Sequence, residues 1–161
     1  MHLALRIAVY VFLLSATGLA AQQPSACPWF SLGSAETALG GPVSMKLHVE
    51  SASQGTCEFT AQSGNAKMLR IVIGKADAHD CPEDAMKVKA LGNEAVQCRR
   101  TGEHNESIDV IAGRVRDVFF AVSISGVPDA ATTPGTPSHP DDQFDAPLLE
   151  RVAEQVAGNL F

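Results

Sequence analysis

The chain has 161 residues, a formal net charge of −6 and a sequence pI near 5.2. An acidic chain with no run of Lys or Arg is repelled by nucleic-acid backbones and anionic lipid, so no nucleic-acid partner is expected. Its length suits one ordinary domain with a full hydrophobic core.

The N-terminal stretch sets the compartment. Arg6 closes a short basic start, Ile7-Ala8-Val9-Tyr10-Val11-Phe12-Leu13-Leu14 carries no charge, and Gly18-Leu19-Ala20-Ala21 supplies small residues for cleavage. That order is the layout of a secretory signal peptide over residues 1–21, and its apolar run is too short for a comfortable membrane span. No later apolar stretch approaches span length, so no membrane span is expected once the leader is removed. The expected product is a single periplasmic or secreted domain over residues 22–161. All four cysteines, Cys27, Cys57, Cys81 and Cys98, lie in it. An even set in an oxidising compartment favours two disulfides. Spacing leaves three pairings open. Cys27–Cys57 and Cys81–Cys98 are favoured, because the first ties the N-terminal segment to the early sheet and the second staples a surface excursion to the following strand. No two cysteines have the close spacing of a zinc site.

Cys27-Pro28-Trp29-Phe30 is apolar and reads as a docking segment, with Trp29 and Phe30 packed in the core rather than displayed for a partner. A short helix follows, capped by Ser31 or Ser34 and ended by Gly40-Gly41-Pro42. Val43, Met45, Leu47 and Val49 then alternate with Ser44, Lys46 and His48, which is the period of a strand with one wet face. Gln54-Gly55 signals a turn. Thr56 to Ala61 is a second strand carrying Cys57 and Phe59. A third places Leu69, Ile71 and Ile73 on one side, with Arg70 on the other. Residues 75–93 are the irregular middle, with a short helix expected over 85–91 and stopped by Gly92. Glu94 to Arg100 is a fourth strand. Ile108, Val110 and Ala112 on one arm, and Val118, Phe120, Val122 and Ile124 on the other, form a hairpin turning at Arg116-Asp117. Neither turn residue is the Gly or Asn that a tight primed turn prefers.

Residues 126–144 hold Pro128, Pro134, Pro137 and Pro140 and few large apolar groups, so they bury too little to offset chain entropy and read as a flexible loop. Asp145 caps a closing helix that tolerates Pro147 in its first turn. There Leu149, Val152, Ala153, Val156 and Leu160 recur at spacings of three and four. The expected fold class is α+β: a largely antiparallel sheet of about six strands, with a short N-terminal and a long C-terminal helix packed on it.

Several stretches together resemble a group of exported bacterial proteins of unknown function: Cys27-Pro28-Trp29, Ala38-Leu39-Gly40-Gly41-Pro42-Val43, Gly55-Thr56-Cys57-Glu58-Phe59, Leu91-Gly92-Asn93-Glu94-Ala95-Val96-x-Cys98, Gly113-Arg114-Val115-Arg116-Asp117 and the closing Ala153 to Phe161. The layout is also similar to small actinobacterial envelope lipoproteins, which implies a PsbP-like α/β sandwich. Those lipoproteins carry a lipobox; Pro24 stands in its place here, so no lipid anchor at Cys27 is expected. The resemblance brings no catalytic residues with it.

Site signals are sparse. His79-Asp80-Cys81-x-Glu83-Asp84 gathers potential ligands, but its spacing fits neither an EF-hand loop nor a zinc motif, and a solvated turn beside a disulfide is the better account. No metal or cofactor is therefore expected. The histidines His48, His79, His104 and His139 accompany many serines and aspartates, yet no Gly-x-Ser-x-Gly elbow appears, and oxidised cysteines offer no thiolate nucleophile. No catalytic residue is assigned. Arg99-Arg100 and Arg114-x-Arg116 read as one small basic group near the ends of neighbouring strands, able to clamp an anion but more simply pairing with surface acids. Asn105-Glu106-Ser107 is a glycosylation sequon, relevant only in a host that uses it. The expected function is a non-catalytic binding or envelope-associated module, its partner an unknown envelope or extracellular one. The alternatives are a small periplasmic hydrolase and a structural subunit of an envelope complex.

Overall fold

The computed structural model describes residues 25–62, 67–74, 81, 82, 85–89, 91, 94–103, 106–126 and 146–161. The leader, most of the 126–144 loop, His79, Asp80, Glu83, Asp84, His104, Asn105, His139 and the Asp145 cap lie outside them.

Two helices and seven strands make up these residues: α1 (Leu32–Leu39), β1 (Val43–Ser51), β2 (Gln54–Ala61), β3 (Met68–Gly74), β4 (Met86–Lys87), β5 (Glu94–Thr101), β6 (Ser107–Val115), β7 (Val118–Ser125) and α2 (Ala146–Gly158). The strands form one sheet in the order β1-β2-β3-β7-β6-β5-β4, and every pairing is antiparallel. Two meanders are thus laid side by side. β1–β3 run in sequence from one edge, β4–β7 run in from the other, and they join where β3 meets β7.

The described residues of 85–91 do not form the short helix expected from sequence. Met86 and Lys87 instead pair with Gln97 and Val96 as a two-residue edge strand, and the Val88 amide donates to the Ala95 carbonyl at 2.9 Å. The backbone groups on the open side of β5 need partners, and this segment supplies them at the expense of local helical preference. The sheet accordingly has seven strands rather than about six.

Local chemistry accounts for the ends of α1. The Ser31 hydroxyl accepts from the Ser34 amide, and Gly40 closes the helix in the left-handed region at φ 79°, with its N–H donating to the Glu36 carbonyl. In the β1–β2 hairpin a bulge separates Val49 from Ser51. Gly55 just beyond it has φ 154°, and a Cβ there would lie 2.5 Å from the His48 carbonyl oxygen and 3.0 Å from the Trp29 ring. Only glycine fits that approach. At the β6–β7 turn, Arg116 takes the left-handed conformation at φ 55° in place of the glycine such turns favour.

Both helices lie on the same side of the sheet. α1 packs on β1, β2 and β3, and α2 on β6 and β7. Between helices and sheet lies the main core: Trp29, Phe59, Leu69, Ile71, Ile73, Ile111, Phe120, Val122, Leu149, Val152 and Val156 are all buried. Phe30 and Phe59 meet edge to face, with ring centroids 6.0 Å apart. Trp29 is 1% exposed, and its indole N–H donates to the Ala52 carbonyl at 2.9 Å. The end of α2 is tied to this region as well: the Asn159 side-chain amide donates to the Trp29 carbonyl at 3.0 Å, and that of Gln155 to the Ser34 hydroxyl at 3.1 Å. Cys27–Cys57 lies in this core, its Cα atoms 6.0 Å apart.

The opposite side of the sheet carries a smaller apolar strip. Val110, Ala112 and Ala121 are buried there beside half-buried Val72, Val96, Ile108 and the Cys81–Cys98 disulfide, whose Cα atoms are 5.7 Å apart. The structure therefore closes Cys27–Cys57 and Cys81–Cys98, the pairing favoured from chain position, with one bond on each side of the sheet.

Candidate functional site

The helix-free side of β1–β3 is largely polar, and its chemistry follows from register. Lys46 lies opposite Glu58, Glu58 opposite Arg70, and Arg70 opposite Ser123. Side chains on one face of neighbouring strands meet directly, so these residues form a row across four strands in which the three charges alternate in sign. The next row begins with His48 opposite Thr56 and Thr56 opposite Val72. Lys46, Leu47, His48, Thr56, Glu58 and Arg70 line an open basin of about 270 Å³.

One ion pair and one histidine–carboxylate contact lie at the basin. Arg70 Nε lies 3.4 Å from Glu58 Oε1, and His48 Nε2 lies 3.3 Å from Glu50 Oε1. Both are open to solvent, with the His48 side chain at 75%, so they orient groups more than they stabilise the fold. Lys46 and Arg70 flank Glu58, which leaves the basin lining cationic in a chain of net charge −6. Such a surface offers ammonium and guanidinium donors to an anionic group, with the Glu58 carboxylate beside them to accept from a donor on the same molecule.

The arginines expected as one basic group are separated. Arg99 lies opposite Asp109 near one end of the β5–β6 ladder, and Arg114 lies opposite Glu94 at the other. Arg99 makes a two-pronged contact with Asp109, at 2.6 Å through Nε and 3.2 Å through Nη2. Arg114 is 3.4 Å from Glu94 Oε1, and its guanidinium stands 5.6 Å from the centroid of Phe119. Arg116 instead covers the Phe161 ring at 5.3 Å, holding the C-terminal residue against the β6–β7 turn. Neighbours in sequence on a strand point to opposite faces, and a strand's length separates the two pairs. The group splits for that reason.

Trp29 and Phe30 are core residues. Among the described residues no group of three or more His, Cys, Asp or Glu side chains is placed to hold a metal ion. No helix among them is long and apolar enough to cross a membrane.

Strand alternation puts Lys46 and His48 on a polar face, and Arg70 on the same kind of face two strands later. Joining them into one site needs the pairing of β1 with β2 and of β2 with β3. The turn that sets the first register is Ala52-Ser53; the Gln54-Gly55 turn expected from sequence falls just past it, as the first two residues of β2.

Comparison with protein-family models, with curated proteins and with solved structures returns no match.

Proposed function

We propose that this protein is an exported, non-catalytic binding module of the periplasm or extracellular space, taking an anionic small molecule or an anionic group of an envelope partner in the β1–β3 basin. The observation that carries this reading is the row Lys46–Glu58–Arg70–Ser123 on the side of the sheet opposite the helices. A concave surface with a few convergent polar groups is the common form of a recognition site. Two disulfides are consistent with an oxidising compartment. The finer relationships belong to the same proposal: a fold of the PsbP-like sandwich kind, and kinship with small envelope lipoproteins without their lipid anchor.

Native mass spectrometry of the protein purified from its own compartment tests this reading. The expected mass lacks the leader and two pairs of hydrogens, and carries a retained anionic adduct that is lost in the Lys46→Ala/Arg70→Ala variant. An adduct-free protein that cleaves model esters, and loses that activity in His48→Ala, would replace the binding module with the hydrolase.

A further inference from the structure

β1 is the last strand on its side of the sheet. Its nine residues pair with β2 along one side, and no described strand pairs with the other. The direction of its backbone groups follows from the hairpin. The Gln62 amide donates to the Pro42 carbonyl at 2.9 Å, so the even-numbered residues of β1 are those that exchange hydrogen bonds with β2. Met45, Leu47 and Val49 therefore direct their peptide N–H and C=O groups away from the sheet. Such an edge is a template for another strand unless its side chains forbid the pairing.

The charges on β1 select among antiparallel self-pairings rather than forbid them. Along the helix-free side run Ser44, Lys46, His48 and Glu50. A two-fold axis perpendicular to the sheet keeps each side chain on its own face, so every register is centred on a single residue. A centre at Lys46 sets like charges against each other, and one at Leu47 sets Lys46 against His48. A centre at Val49 sets His48 against Glu50 but carries Lys46 past the end of the strand, opposite Ala52. A centre at His48 faces the two His48 side chains across the axis but places Lys46 of each copy opposite Glu50 of the other, two opposite-charge pairs flanking that one contact, and the bulge between Val49 and Ser51 bounds the paired segment there. In that register Leu47 and Val49 of one copy exchange backbone hydrogen bonds with Val49 and Leu47 of the second, and their side chains meet on the helix-bearing side. We propose that the protein self-associates through β1, with the two-fold axis at His48 and reciprocal Lys46–Glu50 ion pairs, into one continuous antiparallel sheet. Lys46 and His48 also line the basin, so the two basins adjoin across the axis. The self-association goes beyond the binding reading and does not depend on it, because its readout is oligomeric state.

Sedimentation velocity of the leader-free chain over a range of concentrations tests it. The wild type is expected to shift from monomer to dimer. Lys46→Glu and Glu50→Lys, each turning two attractive pairs repulsive, are expected to weaken dimerisation about tenfold. The double variant K46E/E50K restores it. His48→Cys is expected to give a reducible dimer, since residues facing across a non-hydrogen-bonded pair come close enough for a disulfide, whereas Ser44→Cys does not. A wild type that stays monomeric at all concentrations overturns the proposal, as does a double variant no better than either single one.

Discussion

The two meanders solve the problem of covering a sheet in different ways. In β1–β3 the side facing the helices is closed by α1, the Trp29 segment and Cys27–Cys57, and the other side is open and charged. In β4–β7 the helix side is closed by α2 lying over β6 and β7, while the other side holds a small apolar strip beside Cys81–Cys98. The contrast shows along a single row of the helix side. It runs Leu47, Cys57, Ile71, Val122, Ile111, Gln97, Met86, apolar through five strands and then ending in an amide and a 64% exposed thioether. The first meander is anchored in the core. The second tapers toward its edge.

That difference predicts unequal disulfides. The two bonds join residues 30 and 17 positions apart, which in the chain-entropy account makes them similar, at about 3–4 kcal/mol each. Burial separates them. Cys57 is fully buried among the core residues, whereas Cys81 and Cys98 are half-buried at the margin of the smaller strip. Cys27→Ala/Cys57→Ala leaves a void in a packed region and is expected to cost about 4–5 kcal/mol; Cys81→Ala/Cys98→Ala should cost about 2–3 kcal/mol. Urea unfolding of the two variants measures the gap. Equal losses would mean that loop closure alone sets both values, and the contrast between the meanders would fail.

A smaller effect is expected from one methyl group in the first meander. Gly55→Ala puts a Cβ against the His48 carbonyl, the Val49 Cα and the Trp29 ring, in a backbone conformation that L residues avoid. Backbone atoms cannot swing aside, so a loss of about 2–4 kcal/mol is expected. Gly74→Ala in β3 is the control: its nearest neighbour would be the Gln54 side chain at 3.9 Å, an ordinary contact, and stability should change by under about 0.5 kcal/mol. Thermal unfolding of both variants distinguishes local crowding from a general intolerance of bulk in these strands.

What can be read from the chain follows the same division. Val43, Met45, Leu47 and Val49 alternate cleanly because β1 has one packed side and one wet side, so its period is visible without neighbours. The closing helix is visible for the equivalent reason, as Leu149, Val152, Ala153 and Val156 repeat on one face. β4 is not visible. Met86 and Lys87 are both exposed, so no periodic burial marks them, and only the open side of β5 explains their conformation. The basin is half legible. Alternation assigns Lys46, His48 and Arg70 to polar faces, but a shared site is a property of register, and Glu58 enters it only because β2 lies between β1 and β3. The arginines show the reverse error: closeness in sequence suggests a group that strand direction and alternation take apart.

The tapering edge offers the mildest test. Gln97 is 5% exposed on the helix side of β5, and its amide nitrogen has no hydrogen-bond partner among the described residues. A buried donor left unpaired carries its desolvation cost without return, about 1–3 kcal/mol in comparable sites. Replacing it by a residue of similar volume and no donor removes that cost while keeping the packing beside Ile111. Gln97→Met should therefore raise stability by about 1 kcal/mol, whereas Gln97→Ala should lower it by opening a void. The pair of variants separates the two effects, because a polar cost is relieved by both substitutions and a packing loss is incurred by only one. If Gln97→Met destabilises the protein, the amide is satisfied in solution, and the second meander is closed at its edge more like the first.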